Sequence, residues 1–124
     1  MFEYTSLKVT LIQAEKLAFD LFNIQGKAMA LPGEMDFNFR IKVNSREAYI
    51  LKISRPNEDN KYLEFQQKLL QHIENQNNHV VAPVVNLDVK GSSISEWIDE
   101  SGNSRKVRLL SWISGRIWTQ KKAA

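Results

Sequence analysis

Lys52 and Glu64 are the two side chains of this 124-residue sequence whose types and placement best suit joint chemistry. Lys52 interrupts a run of strand formers, Ala48 to Ile53, that Ser54-Arg55-Pro56 closes. On a period of two, Ile50, Lys52 and Ser54 share one face while Tyr49, Leu51 and Ile53 share the other. Glu64 falls a turn or so inside the helical pattern that follows. An ammonium on a strand and a carboxylate on a facing helix can pair across the gap, and such a pair holds a lysine extended toward a phosphate. The plainer alternatives are a lysine on a solvated strand face and a solvated helix carboxylate.

The elements that must position this pair are readable in order. Leu11, Ala14, Leu17, Ala18, Leu21 and Phe22 fall at helical spacing between Thr10 and Phe22, with Asn23 to Gly26 as the stop. Ala28 to Leu31 suits a short strand before Pro32-Gly33. Phe37, Phe39, Ile41 and Val43 alternate along a second, and the turn Asn44 to Glu47 leads into the strand of Lys52. A second helix follows Pro56 to Asn60, its apolar stripe made of Leu63, Leu69, Leu70 and Ile73, widened by Tyr62 and Phe65, and Asn75 to Asn78 ends it. Strand patterns then cover Val80 to Val89, Ser93 to Ile98 and Val107 to Ile113, with a turn at Asp99 to Asn103. Connections this short exclude a parallel βαβ fold. The expectation is an α+β domain over residues 1–124: an antiparallel sheet of five to six strands with two main helices on one side of it.

Composition restricts the function classes. With 43% hydrophobic and 10% aromatic residues the chain can bury a core, and 124 residues suit one domain. Seventeen basic against 14 acidic residues leave only +3, without clustering, so no nucleic-acid partner is expected. The absence of cysteine excludes disulfides and thiolate metal sites. No apolar run approaches the roughly 20 residues that span a bilayer, and MFEYTSLKVT lacks the features of a signal peptide, so a cytoplasmic chain without a membrane partner is expected.

Three stretches in this order, "LPGEMDFNFRIKVNSREAYILKISRP", "YLEFQQKLLQHI" and "RLLSWISGRIW", resemble the amino-terminal, ATP-binding lobe of the aminoglycoside phosphotransferase and choline kinase superfamily. Within it, hydroxylysine kinase and type II homoserine kinase-like proteins are nearest. The likeness covers roughly residues 10 to 118. It implies a protein-kinase-like amino-terminal lobe in which Lys52 contacts the α- and β-phosphates of ATP and Glu64 orients it.

The resemblance also implies roles for two connecting stretches. The loop carrying Gly33, Asp36 and Asn38 would cover the phosphates with main-chain N–H groups, although its single glycine makes it no P-loop and a plain hairpin turn is the alternative. In "LLSWISG" the carbonyl of Ser111 and the amide of Ile113 would meet the adenine edge, with Leu110 behind the base. Trp112 departs from the smaller or acidic residues common there, and an interlobe core role is the alternative.

The departures bear on activity. The family's catalytic aspartate and Mg²⁺-binding acidic residue belong to its carboxy-terminal lobe, and no such motif follows Trp118. His72 and His79 are read as solvated. The expectation is therefore the ATP-binding half of a small-molecule kinase, incomplete as it stands, whose whole enzyme uses ATP and Mg²⁺ to phosphorylate a hydroxyl of an amino alcohol or hydroxy amino acid. The missing partner would be a carboxy-terminal lobe or further fused domains, such as an aminotransferase module. Apolar surface around Ile113, Ile117 and Trp118 would then promote a homodimer of the isolated chain. The competing reading is a non-catalytic α+β module that binds a protein through Trp97, Trp112 and Trp118.

Overall fold

A computed structural model describes residues 8–32, 37–56, 58–76 and 83–111. They form helix α1 (Leu11–Phe22), strands β1 (Lys27–Leu31), β2 (Phe37–Lys42) and β3 (Ala48–Ile53), helix α2 (Asn60–Gln76), and strands β4 (Val85–Asn86), β5 (Ser95–Ile98) and β6 (Ser104–Ser111). Gly33, Asp36, Trp112, Ile113, Ile117, Trp118 and His79 lie outside the described residues.

Helix α1 starts where the sequence suggests, and for a local reason. The Thr10 hydroxyl accepts from the Gln13 amide while the Gln13 side chain accepts from the Thr10 amide, a reciprocal capping box. Asn23 closes the helix in the left-handed conformation at φ 57°, its N–H reaching the Phe19 carbonyl at 3.0 Å. Gly26 then brings the chain against β2. A Cβ built there would meet the Lys42 carbonyl oxygen at 2.6 Å, so only glycine fits this approach.

The sheet is antiparallel throughout, in the order β1-β2-β3-β6-β4, with β5 also paired to β6. Strand β6 thus shares its outer edge between β5, opposite Ser104–Val107, and β4, opposite Leu109 and Leu110. On one face Phe39, Ile41, Leu51, Ile53, Val107 and Leu109 pack against Ala14, Leu17, Ala18 and Phe22 of α1. Helix α2 lies on the other face, where it meets Arg108, which alternates with Val107 and Leu109. The helices therefore take opposite faces, not the single side that the order of elements suggests.

Three further expectations change. Of the strand expected over Val80 to Val89, residues 80–82 lie outside the described residues and the described part holds the two-residue β4, because Asp88 accepts from the amides of Lys90 and Ser92 and turns the chain at Gly91, φ +86°. Tyr62, Phe65 and Leu69 are not core: they are 55%, 64% and 46% exposed, while Leu63 and Gln67 are buried. Strand β6 begins at Ser104, three residues before the expected Val107, because Arg105 is held inside. Its Nη1 meets Asp99 Oδ2 at 2.9 Å and its Nε meets the Ser54 carbonyl at 2.6 Å. Its guanidinium lies over the rings of Phe37 and Trp97, which takes Trp97 out of any exposed aromatic patch.

Candidate functional site

Alternate residues of four strands build the face of the sheet opposite α1. Cross-strand register sets Leu31, Asn38, Lys52 and Arg108 in one row and Met29, Arg40, Ile50 and Leu110 in the next. Lys27 and Lys42 stand opposite each other in a third. Helix α2 covers the β6 side and leaves Met29 exposed and Ile50 and Lys52 half-buried.

Lys52 Nζ donates to Asn38 Oδ1 at 2.9 Å, and Asn38 Nδ2 donates to the Pro32 carbonyl at 3.4 Å. Asn38 thereby links the ammonium to the start of the loop between β1 and β2. The neutral Asn38 amide orients the lysine through one of the three donors of its ammonium.

The structure does not bring Glu64 to Lys52. Among the described residues the two form no ion pair, and Glu64 is exposed beside a polar cleft lined by Asn60, Ser93, Ser95, Glu96 and Lys106. Helical phase is the reason: Leu63 and Gln67, one turn apart, are the buried positions, and Glu64 stands about 100° round the helix from Leu63. The cation that engages α2 is Arg108, whose Nη1 donates to Gln66 Oε1 at 2.9 Å and Gln67 Oε1 at 3.4 Å. Gln67 Nε2 in turn donates to the Ser93 carbonyl at 2.8 Å.

Leu110 is buried between Ile50 and Val85 in register. Ser111, the last described residue, donates its N–H to the Val84 carbonyl at 2.8 Å, and its hydroxyl accepts from Asn86 Nδ2 at 3.1 Å. Opposite it, the Tyr49 phenol donates to the Glu47 carboxylate. That bond, with burial, pushes the phenol up to about 12.

Sequence reasoning missed Arg40, Arg108, Gln66 and Gln67. Period-two alternation through "FNFRIK" and "SRKVRLLS" was a signal for the two arginines, since it puts them on the face of Lys52. Together the rows offer an ammonium beside apolar side chains, a surface suited to an anionic group carried on a flat apolar body. Among the described residues no group of three or more His, Cys, Asp or Glu could hold a metal ion, and no helix is long and apolar enough to cross a membrane.

No family model and no curated protein sequence matches the chain. Solved structures do. An amicoumacin kinase, hAmiN, in complex with AMP-PNP, Ca²⁺ and Ami superposes with a TM-score of 0.70 at 14% identity, over 88% of this chain and 32% of its own length. A microcompartment-associated aminopropanol kinase superposes with a TM-score of 0.69 at 14% identity, over 84% of this chain and again 32% of the other. The chain thus spans about a third of each kinase, and what it shares with them is the α+β fold of a kinase-like amino-terminal lobe.

Proposed function

We propose that this chain is the ATP-binding lobe of a small-molecule kinase of the aminoglycoside phosphotransferase type. The observation that supports this most is Lys52 on the part of the sheet face that α2 leaves open, held by Asn38, which also reaches the Pro32 carbonyl just after β1. In this reading the Lys52 ammonium meets the α- and β-phosphates, the loop with Gly33 and Asp36 covers them, and the adenine lies toward Leu110, Ser111 and Ile113. Glu64 keeps only the outer helix position described above, so Asn38 replaces it as the group that orients Lys52.

The residues fit the nucleotide: a cation for the phosphates and apolar side chains for the base. Among the described residues no carboxylate set suits Mg²⁺, and in this reading the metal and the group that activates the acceptor hydroxyl are assigned to the remainder of the enzyme. When complete, that enzyme would transfer the γ-phosphoryl group to a hydroxyl of an amino alcohol or hydroxy amino acid. Half a cleft covers little of a nucleotide, so binding to this chain alone is weak. Saturation-transfer NMR with millimolar ATP tests the reading. Transfer to the adenine protons is expected, weakened in Lys52→Ala, and no transfer from the wild-type chain refutes it.

A protein-interaction module is the second reading, and the exposed row Tyr62, Phe65 and Leu69 on α2 favours it. Under it ATP would give no transfer in either protein.

A further inference from the structure

We infer that the outer edge of β1 is a strand-pairing surface for a second copy of this chain, and that the Glu15 carboxylate closes it. Strand β1 ends the sheet order, and among the described residues β2 is its one strand partner. Main-chain bonds fix which groups of β1 face outward. Val43 donates its N–H to the Glu47 carbonyl at 2.9 Å across the β2–β3 turn, so Phe37, Phe39 and Ile41, in phase with it, direct their main-chain groups to β3. Asn38, Arg40 and Lys42 therefore bond to β1, through their register partners Leu31, Met29 and Lys27. Ala28 and Ala30 are left with N–H and C=O groups directed away from β2.

Glu15 takes the first of these groups. Half-buried on α1, it accepts from the Ala28 N–H through Oε2 at 2.8 Å. A carboxylate oxygen there stands where the carbonyl of an added strand would stand, which blocks the edge. The edge otherwise fits its own copy. About a two-fold axis through Met29, Ala28 of one chain faces Ala30 of the other, and each such pair exchanges both main-chain bonds. On the α1 side the paired residues are alanines, so the second strand brings no bulk against the helix. On the other side Met29, 47% exposed, meets its own counterpart and Lys27 falls opposite Leu31, so no like charges oppose each other.

Amide hydrogen exchange and sedimentation test this together. In wild type the Ala28 amide is expected to exchange about tenfold more slowly than the Ala30 amide at every protein concentration, because the first is held by Glu15. Glu15→Ala is expected to lose the protection of Ala28 in dilute solution. As its concentration rises, both amides should become protected by about tenfold or more while the chain sediments as a dimer. Glu15→Gln keeps an oxygen acceptor and should behave as wild type. Ala30→Pro removes an outward N–H without touching the β2 ladder, so adding it to Glu15→Ala should restore the sedimentation of wild type. Amide spectra confirm that each protein is folded. Ala30 exchange that does not respond to concentration in Glu15→Ala overturns the pairing, as does a dimer that survives Ala30→Pro. Association of Glu15→Gln as strong as that of Glu15→Ala overturns the blocking role of Glu15. Equal exchange of Ala28 and Ala30 in wild type overturns it as well, whatever the variants do.

Discussion

Arg108 stands directly opposite Lys52 in the β3–β6 register, and the two cations are held by different elements. Arg108 is buried against glutamines of α2, whereas Lys52 is bound to Asn38 on β2. Attachment of the helix and orientation of the lysine are thus two separate arrangements, where a single lysine–glutamate pair would have served both.

Asn38→Ala should therefore act on ligand binding more than on folding. Removal of the acceptor loosens the orientation of the half-buried ammonium, whose access to water limits the loss of folding stability. ATP affinity should fall about tenfold while unfolding stability changes by less than about 1 kcal/mol. Paired titration and urea melts check this. A loss confined to stability would mean that Asn38 serves only the loop.

Gln67→Leu should act in the opposite sense. The apolar side chain fits the buried position but leaves the Ser93 carbonyl without its donor, at a cost of about 1 to 3 kcal/mol. Glu64→Gln, on the outside of the same helix, should change stability by less than about 0.5 kcal/mol. Equal effects of the two substitutions would show that the helix packs in another phase.

Asp99→Ala should cost about 3 to 5 kcal/mol, because it leaves the guanidinium of Arg105, only 1% exposed, without its carboxylate. Trp97 fluorescence follows the same event, since Trp97 and the guanidinium are stacked. A stable variant with unchanged Trp97 emission would contradict the buried pair.

Acid should unfold the protein through two turn carboxylates. Burial raises the pKa of Asp88, but hydrogen bonds from the Ser95 hydroxyl and the Ser92 and Lys90 amides outweigh it and hold the group below its ordinary 3.8. At Asp99 burial is likewise outweighed, by the Asn103 amide, the Arg105 guanidinium and the Ser101 amide. A depressed carboxyl contributes stability that is complete above the unfolded pKa near 3.8 and is lost as pH falls through the lower folded value. Urea unfolding from pH 6 down to 2.5 should show this loss, shallower in Asp88→Asn. Parallel curves for the two proteins would exclude Asp88 as a contributor.

Gly26→Ala should destabilise by about 1 to 3 kcal/mol through the close Lys42 carbonyl. An alanine tolerated without loss in thermal melts would mean that the chain between α1 and β1 can move away from β2.

Much of the fold was legible because its signals are local. Period-two runs marked β2 and β3 and placed Lys52 opposite the buried Leu51 and Ile53, and the Asn23 stop ended α1 on time. What stayed hidden depends on distant partners. Helix α2 has more apolar residues than it can bury, and the face that turns inward carries Gln67, whose burial is settled by Ser93 and Arg108. Nothing within the helix distinguishes that glutamine from its exposed neighbours, and the inward role expected of Glu64 rests on its spacing from Lys52 and on the family resemblance, neither of which sets the helical phase. Arg105 likewise resembles a turn residue until Asp99, Phe37 and Trp97 surround it.

The central position of β6 bears on how the chain is made. Strands β1 to β3 form a local meander, but the inner edge of β3 is completed by β6, near the end of the described chain, and β4 and β5 join the sheet only through β6. During vectorial synthesis the meander therefore emerges from the ribosome with one edge open, for as long as translation of everything from α2 to Ser111 takes. An unpaired edge of β-branched and aromatic residues is a template for pairing with other chains. The nascent protein thus has a window of aggregation risk bounded by its own translation rate.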